Sequence, residues 1–232
     1  MEEFKYLDIF ATKGLEYLLV IGFLAVFVVL WRMLQATPSS VPARVQPPKG
    51  SRPRADWFKL DEVLHYHPGH AWALPEDGPL VKVGIDDFAQ KLLGEAERID
   101  LPAVGEHVEQ GGKGWRLRVN SRFVDMLSPV GGKVVEVNHE VLESPRLITD
   151  DPYGRGWLLK IRVPNVKTAL KNLLTGTVAK AWMDDTVRVL SQRDVGQLGV
   201  VMQDGGRPVS GFALQLAPDR WEEVAAEFLL SR

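Results

Sequence analysis

The chain has no cysteine. That absence excludes a disulfide framework, thiolate metal centres, iron–sulfur ligation and a cysteine nucleophile, and it leaves the redox compartment open. Charge of one sign is lacking too. With 28 lysines and arginines against 30 aspartates and glutamates, the formal net charge is -2. No basic excess exists to neutralise a phosphate backbone, so no nucleic-acid partner is expected. A P-loop, a nucleophile elbow and a dinucleotide fingerprint are all missing. The acidic pairs Asp86-Asp87, Asp150-Asp151 and Asp184-Asp185 do not fill that gap. Neighbours on a strand point to opposite faces and neighbours on a helix diverge by about 100°, so these pairs are expected to cap or turn the chain. No catalytic residue is assigned, and the chain is read as a non-enzyme.

What is present begins with an uncharged run, Tyr17 to Trp31, YLLVIGFLAVFVVLW, bounded by Glu16 and Arg32. Extended to residues 15–34 at 1.5 Å per residue, it spans about 30 Å, the thickness of a hydrocarbon core. Tyr17 and Trp31 stand at the ends, where amphipathic rings favour headgroups. A buried core helix does not fit, because the run is apolar on every face. A cleaved signal peptide fits poorly despite Val41-Pro42-Ala43, because Glu2, Glu3 and Asp8 outnumber Lys5 and Lys13 in the leader. Residues 1–34 are therefore read as a tail and single transmembrane helix that contacts membrane lipid through residues 15–34. Arg32, Arg44, Lys49, Arg52 and Arg54 follow with no acid before Asp56. The positive-inside rule then places the bulk of the chain at the cytoplasmic face of the inner membrane, with the N-terminus outside.

Residues 35–55 carry Pro38, Pro42, Pro47, Pro48 and Pro53, which makes them an extended basic linker that can also rest on anionic lipid. Residues 56–174 show short apolar runs between turn signals, such as LVKVGI, VGGKVVEVN and WLLKIRV, the pattern of a small β-sandwich or flattened barrel. Within it, Ile85 to Leu93 has helical spacing with Gly94 as a stop, and Asn165 to Leu174 reads as a short helix ended by Gly176. Residues 175–232 read as a small α/β extension. Its strands are expected at Val187–Leu190, Leu198–Met202 and Val209–Leu216, with a hairpin turn at Asp204-Gly205-Gly206 and a final helix capped by Asp219.

From about Tyr66 to Leu174 the ordered motifs YHPGHAW, VGIDDFAQ, Leu93-Gly94, LPAVG, SPVGGKVVEVN, Ser144-Pro145 and DPYGRGWLLKI resemble the glycine cleavage system H-protein, a relative of lipoyl domains. The resemblance implies a mainly β (α+β) fold: an H-protein-like flattened β-sandwich with appended helices. Here it is preceded by the transmembrane helix and followed by the extension. It also implies a hairpin tip bearing a lipoylated lysine before the Ser-Pro-Val turn. Counted from the flanking motifs, that place is held by Ser121.

A serine has neither the amine that forms the lipoyl amide nor the reach of a lysine stem. Lys113 precedes the tip by eight residues and Lys133 follows the turn, so neither replaces it. No cofactor is expected. Arg118 stands where the family has an acid, with Arg116 and Arg122 nearby, while Asp125 is kept. Trp115 stands where the family has a small residue. Trp115, Arg116, Arg118, Asn120, Ser121, Arg122 and Asp125 are therefore the candidate partner-binding residues.

His65, His67 and His70 in HYHPGH invite a metal-site reading, but no distant Cys or His cluster completes a tetrahedron. The resulting expectation is a membrane-tethered, non-lipoylated accessory subunit docking on a membrane-associated redox complex. The alternative is a lipoate-dependent carrier component of the glycine cleavage system or a related transfer system. A third possibility is that the arginine surface recognises a free anionic ligand, such as a lipoyl group or an acidic peptide.

Overall fold

The computed structural model describes residues 9–35, 57–193 and 208–231. Contacts divide the chain into two compact units, Met1–Ser51 and Arg52–Arg232.

In the first unit, α1 (Ile9–Gln35) carries exposed apolar side chains from Tyr17 to Trp31. Phe23, Phe27 and Trp31, four residues apart, stack in succession along one side. Among the described residues no helix is long and apolar enough to cross a membrane. The spanning helix expected over residues 15–34 is thus not found among them.

The second unit contains two antiparallel sheets. One has six strands in the order β1 (His65–His67), β2 (Ala71–Pro75), β3 (Leu80–Ile85), β9 (Leu159–Arg162), β8 (Gly132–Val137) and β5 (His107–Val108). The other has three, β4 (Arg98–Asp100), β6 (Lys113–Val119) and β7 (Arg122–Leu127). Period-2 alternation sends Leu117 and Val119 of β6, Val124 and Met126 of β7, Val83 and Ile85 of β3, and Ile161 of β9 into one buried core between the sheets. This is the sandwich that the short apolar runs indicate.

The family-like motifs make the turns. Ser128, fully buried, donates its hydroxyl to the Val130 carbonyl at 2.7 Å, and its backbone pairs with Gly111 and Gly112. Asn138 gives its amide to the carbonyls of Arg155 and Trp157, and the Asp151 carboxylate accepts from the N–H groups of Gly154 and Arg155. At Gly132 the backbone of β9 comes so close that a Cβ would lie 2.3 Å from the Arg162 carbonyl oxygen.

Helix α2 (Asp87–Leu93) begins at Asp86, whose carboxylate accepts from the Ala89 N–H, and ends at Gly94 with φ 87°. Two short helices, α3 (His139–Glu143) and α4 (Leu147–Asp150), follow β8, and α5 (Val166–Leu170) is capped by Asn165. Gly176 opens α6 (Gly176–Arg193) instead of merely ending α5. Val187–Leu190, expected as a strand, lies inside α6. Ala179, Met183, Val187 and Leu190 are buried at helical spacing, so the apolar run belongs to a 3.6-residue period.

Val209–Leu216 is no strand either. Gly211 takes a left-handed φ of 77° while donating to the Lys91 carbonyl at 2.7 Å, and the chain then enters α7 (Phe212–Leu216). The last helix, α8 (Trp221–Leu229), starts at Arg220 with no side-chain cap, so Asp219 does not serve as one. Leu198–Met202 and Asp204-Gly205-Gly206 lie outside the described residues. Among the described residues, the extension is helical and shares the β-domain's core. Met183, Leu190, Phe212, Trp221 and Leu229 are buried with it, and Phe212 packs edge-on against Phe88 of α2.

Candidate functional site

The hairpin β6–β7 closes through two residues, because Val119 pairs with Arg122. Asn120 (φ 49°) and Ser121 (φ 62°) both take left-handed backbone, the demand of a type I′ turn. Both are exposed. The tip is nevertheless held, since the Ser121 N–H donates to Glu97 Oε1 at 3.0 Å. Arg118 pairs with the other oxygen of that carboxylate, Nε to Oε2 3.2 Å. One acid just before β4 thus braces the place where the resemblance expects a lysine.

The arginines around the tip are paired. Arg116 donates from Nε to Asp125 Oδ1 at 2.7 Å, and Lys113 Nζ reaches the same oxygen at 3.0 Å. The Arg116 hydrogen bond, followed by Lys113, holds the Asp125 carboxyl below its ordinary range, and Asp125 in turn raises Arg116. Arg122 donates to Glu222 of α8 at 2.7 Å, which ties the tip to the C-terminal helix. The Arg116 and Arg118 guanidiniums lie 5.2 and 6.0 Å from the ring centroid of Phe123, which is 48% exposed.

Trp115 differs from its expected role. It is 2% exposed and shares the inward side of β6 with Leu117 and Val119, after a register irregularity between Lys113 and Trp115. It is a core residue and not an anchor offered to a partner. Its indole N–H is buried without a hydrogen-bond partner, and the ring lines a seam cavity of about 450 Å³ bordered by β4, β5 and β6. A larger cavity of about 930 Å³ lies away from the tip, between residues 57–62 and α6. Lys91 and Lys180 on its wall already pair with Asp87 and Glu62.

Of the sequence-predicted set, Arg116, Arg118, Asn120, Ser121, Arg122 and Asp125 gather on the hairpin, and Trp115 lies beneath it. Sequence reasoning missed Glu97, Glu222, Arg98 and Phe123. Phe123 had a signal, because it alternates with the charged Asp125 on the outward positions of β7. Glu97 and Glu222 had none, as their contacts cross the fold.

The histidines of HYHPGH differ in their surroundings: His67 Nδ1 accepts from the Gly69 N–H at 3.0 Å, and His65 Nδ1 is buried without a hydrogen-bond partner. His70, 1% exposed and at φ 62°, meets buried Asp86 at 2.7 Å and stacks between Phe88 and Trp182. Burial lowers the pKa of His65 and His67. Among the described residues no cluster of three or more histidines, aspartates or glutamates is placed to hold a metal.

The chain is similar to known proteins over its sandwich. A family model described as glycine cleavage H-protein matches residues 64–186, a span that continues past Leu174 into α6. The glycine cleavage system H protein of Carboxydothermus hydrogenoformans is 44% identical over 102 residues, 44% of this chain and 78% of that protein. That of Coprothermobacter proteolyticus is 39% identical over 128 residues, 55% of this chain and 100% of the relative. The crystal structure of a glycine cleavage system H protein from Mycobacterium marinum superposes with a TM-score of 0.47 at 30% identity, covering 54% of this chain and 99% of that one.

Proposed function

The chain belongs to the glycine cleavage H-protein family, and from that premise we propose that it is a non-catalytic docking module on a carrier fold, without a lipoyl arm. The observation that carries this reading is Ser121. It occupies the exposed tip of the β6–β7 hairpin, where the family's carrier lysine belongs. A lipoyl group is held by an amide to an amine, and a serine hydroxyl offers none. The remaining lysines do not stand in. Lys113 is at the opposite end of β6 with its ammonium on Asp125, and Lys133 lies in β8.

Incubating the purified full chain with a lipoate ligase, lipoic acid and ATP tests this. The wild type stays unmodified and Ser121→Lys gains one lipoyl group. A lipoylated wild type contradicts the reading.

The second reading is a lipoate-dependent carrier component of the glycine cleavage system or a related transfer system. The names of the relatives favour it over a membrane accessory role; Ser121 disfavours it.

The docking reading also uses α1. Its exposed apolar side chains would attach the protein to membrane lipid, and the basic linker after it would favour the cytoplasmic face. There the partner would be a membrane-associated complex, with redox chemistry suggested by family analogy alone.

A further inference from the structure

Resting on that docking reading, we propose that the outer face of the three-stranded sheet binds an acidic segment of a partner protein. Its carboxylates would meet the guanidiniums of Arg98, Arg116 and Arg118, and an apolar side chain would lie on Phe123.

Strand alternation puts these residues on one face. Arg98 pairs in register with Arg118, and Arg118 with Phe123; one step along, Asp100 pairs with Arg116, and Arg116 with Asp125. The inward partners Ile99, Leu117 and Val124 are buried, so the outward row is what the sheet shows to solvent. Its charged side chains run from 37% exposed for Asp100 to 69% for Arg98.

The way the arginines are held decides what the face can take. Arg98 meets Asp100 through Nε at 2.7 Å, Arg116 meets Asp125 through Nε at 2.7 Å, and Arg118 approaches Glu97 through Nε at 3.2 Å. Arg98 is held through Nε, Arg116 grips Asp125 side-on through Nε and a longer 3.5 Å contact from one terminal nitrogen, and Arg118 Nε lies near Glu97 without a hydrogen bond, so the end-on edge of each guanidinium remains for a second, bidentate acceptor. Pinning also removes much of the side-chain entropy that binding would otherwise forfeit. Arg122 is held differently, through Nη1 on Glu222 of α8.

Phe123, on the edge strand β7, supplies an exposed aromatic surface with the Arg116 and Arg118 guanidiniums over its ring, the arginine and aromatic composition typical of interface hot spots. Acids are interspersed as well, with Glu97, Asp100 and Asp125 among the cations. That mosaic suits carboxylates at discrete positions better than a uniform sheet of anionic headgroups.

Fluorescence anisotropy on the full chain in detergent micelles tests the proposal, with a labelled peptide of Glu-Glu-Phe-Glu repeats as the probe. Saturable binding is expected, falling about tenfold or more in Arg118→Gln, in Arg116→Gln and for a peptide with glutamine in place of glutamate. Arg118→Lys keeps the charge but loses the fork, and falls in between. Phe123→Ser weakens binding as well, whereas Arg188→Gln, paired with Asp185 within α6, leaves it unchanged. Thermal unfolding of each variant separates lost binding from lost folding, and Arg118→Lys keeps the test open if a glutamine variant does not fold.

Absence of saturable binding, equal binding of both peptides, or equal affinity of wild type and the folded arginine variants overturns the proposal. So does arginine-dependent binding to phosphatidylserine vesicles with none to the peptide. These outcomes leave the docking reading standing, which falls only if the chain carries lipoate.

Discussion

Two turns in one ladder of strands have met opposite fates. Asn120-Ser121, at the outer end of the β6–β7 hairpin, is exposed and left-handed, and it holds serine where the resemblance expects a lysine. Ser128-Pro129-Val130, at the inner end of β7, is buried and keeps the family's sequence, with the Ser128 hydroxyl closing on the Val130 carbonyl. The inner turn satisfies backbone groups that have no access to water, so a change there leaves a desolvated carbonyl behind. The outer tip faces solvent and is held from the side by the Glu97 and Glu222 carboxylates. Under the proposed reading, the scaffold outlasts the carrier chemistry, and the two have to be read separately.

Substitutions at the two ends should differ in size and in sign. The largest effect is expected just past the inner turn. Gly132→Ala would press a Cβ against the Arg162 carbonyl across a paired strand, destabilising the domain by about 3 kcal/mol in chemical denaturation. A loss under about 1 kcal/mol would mean that β8 and β9 can separate freely. At the outer tip, Ser121→Gly relieves a left-handed φ of 62° and should stabilise by about 0.5 kcal/mol, since glycine bears no Cβ penalty there but gives back some chain entropy.

The smallest effect is a pH dependence on the hairpin face. The Asp125 carboxyl is held low by Arg116 and Lys113. A group whose folded-state pKa is depressed contributes stability above its unfolded pKa and loses it as pH falls through the folded value. The acid limb of the wild-type stability profile should therefore be slightly steeper than that of Asp125→Asn. The difference should be small because the pair is well exposed and screened. Coincident acid limbs would show that the pair adds nothing.

The same contrast explains what the sequence could reveal. Residues that make local structure were legible: Asp86 and Gly94 at the ends of α2, Asn165 before α5, and the apolar alternation of β3 and β6. The hairpin tip at Ser121 was legible because the motifs on both sides of it bound the hairpin. The C-terminal region was misread because Val187–Leu190 is too short an apolar run to distinguish strand from helix by itself. The longer spacing from Ala179 through Met183 carried the helical period.

Trp115 was misread because an unusual large residue near a tip looks like an anchor until the strand's inward side is known. The braces Glu97–Arg118 and Arg122–Glu222 were invisible, since they join residues that only the tertiary fold brings together.

The central claim is that this member of the H-protein family works without the arm that a carrier needs. Intact-mass spectrometry of the protein isolated from its own cells tests it most directly. The account predicts the mass of the polypeptide with no lipoyl increment. A lipoyl increment that peptide mapping assigns to the chain would contradict it.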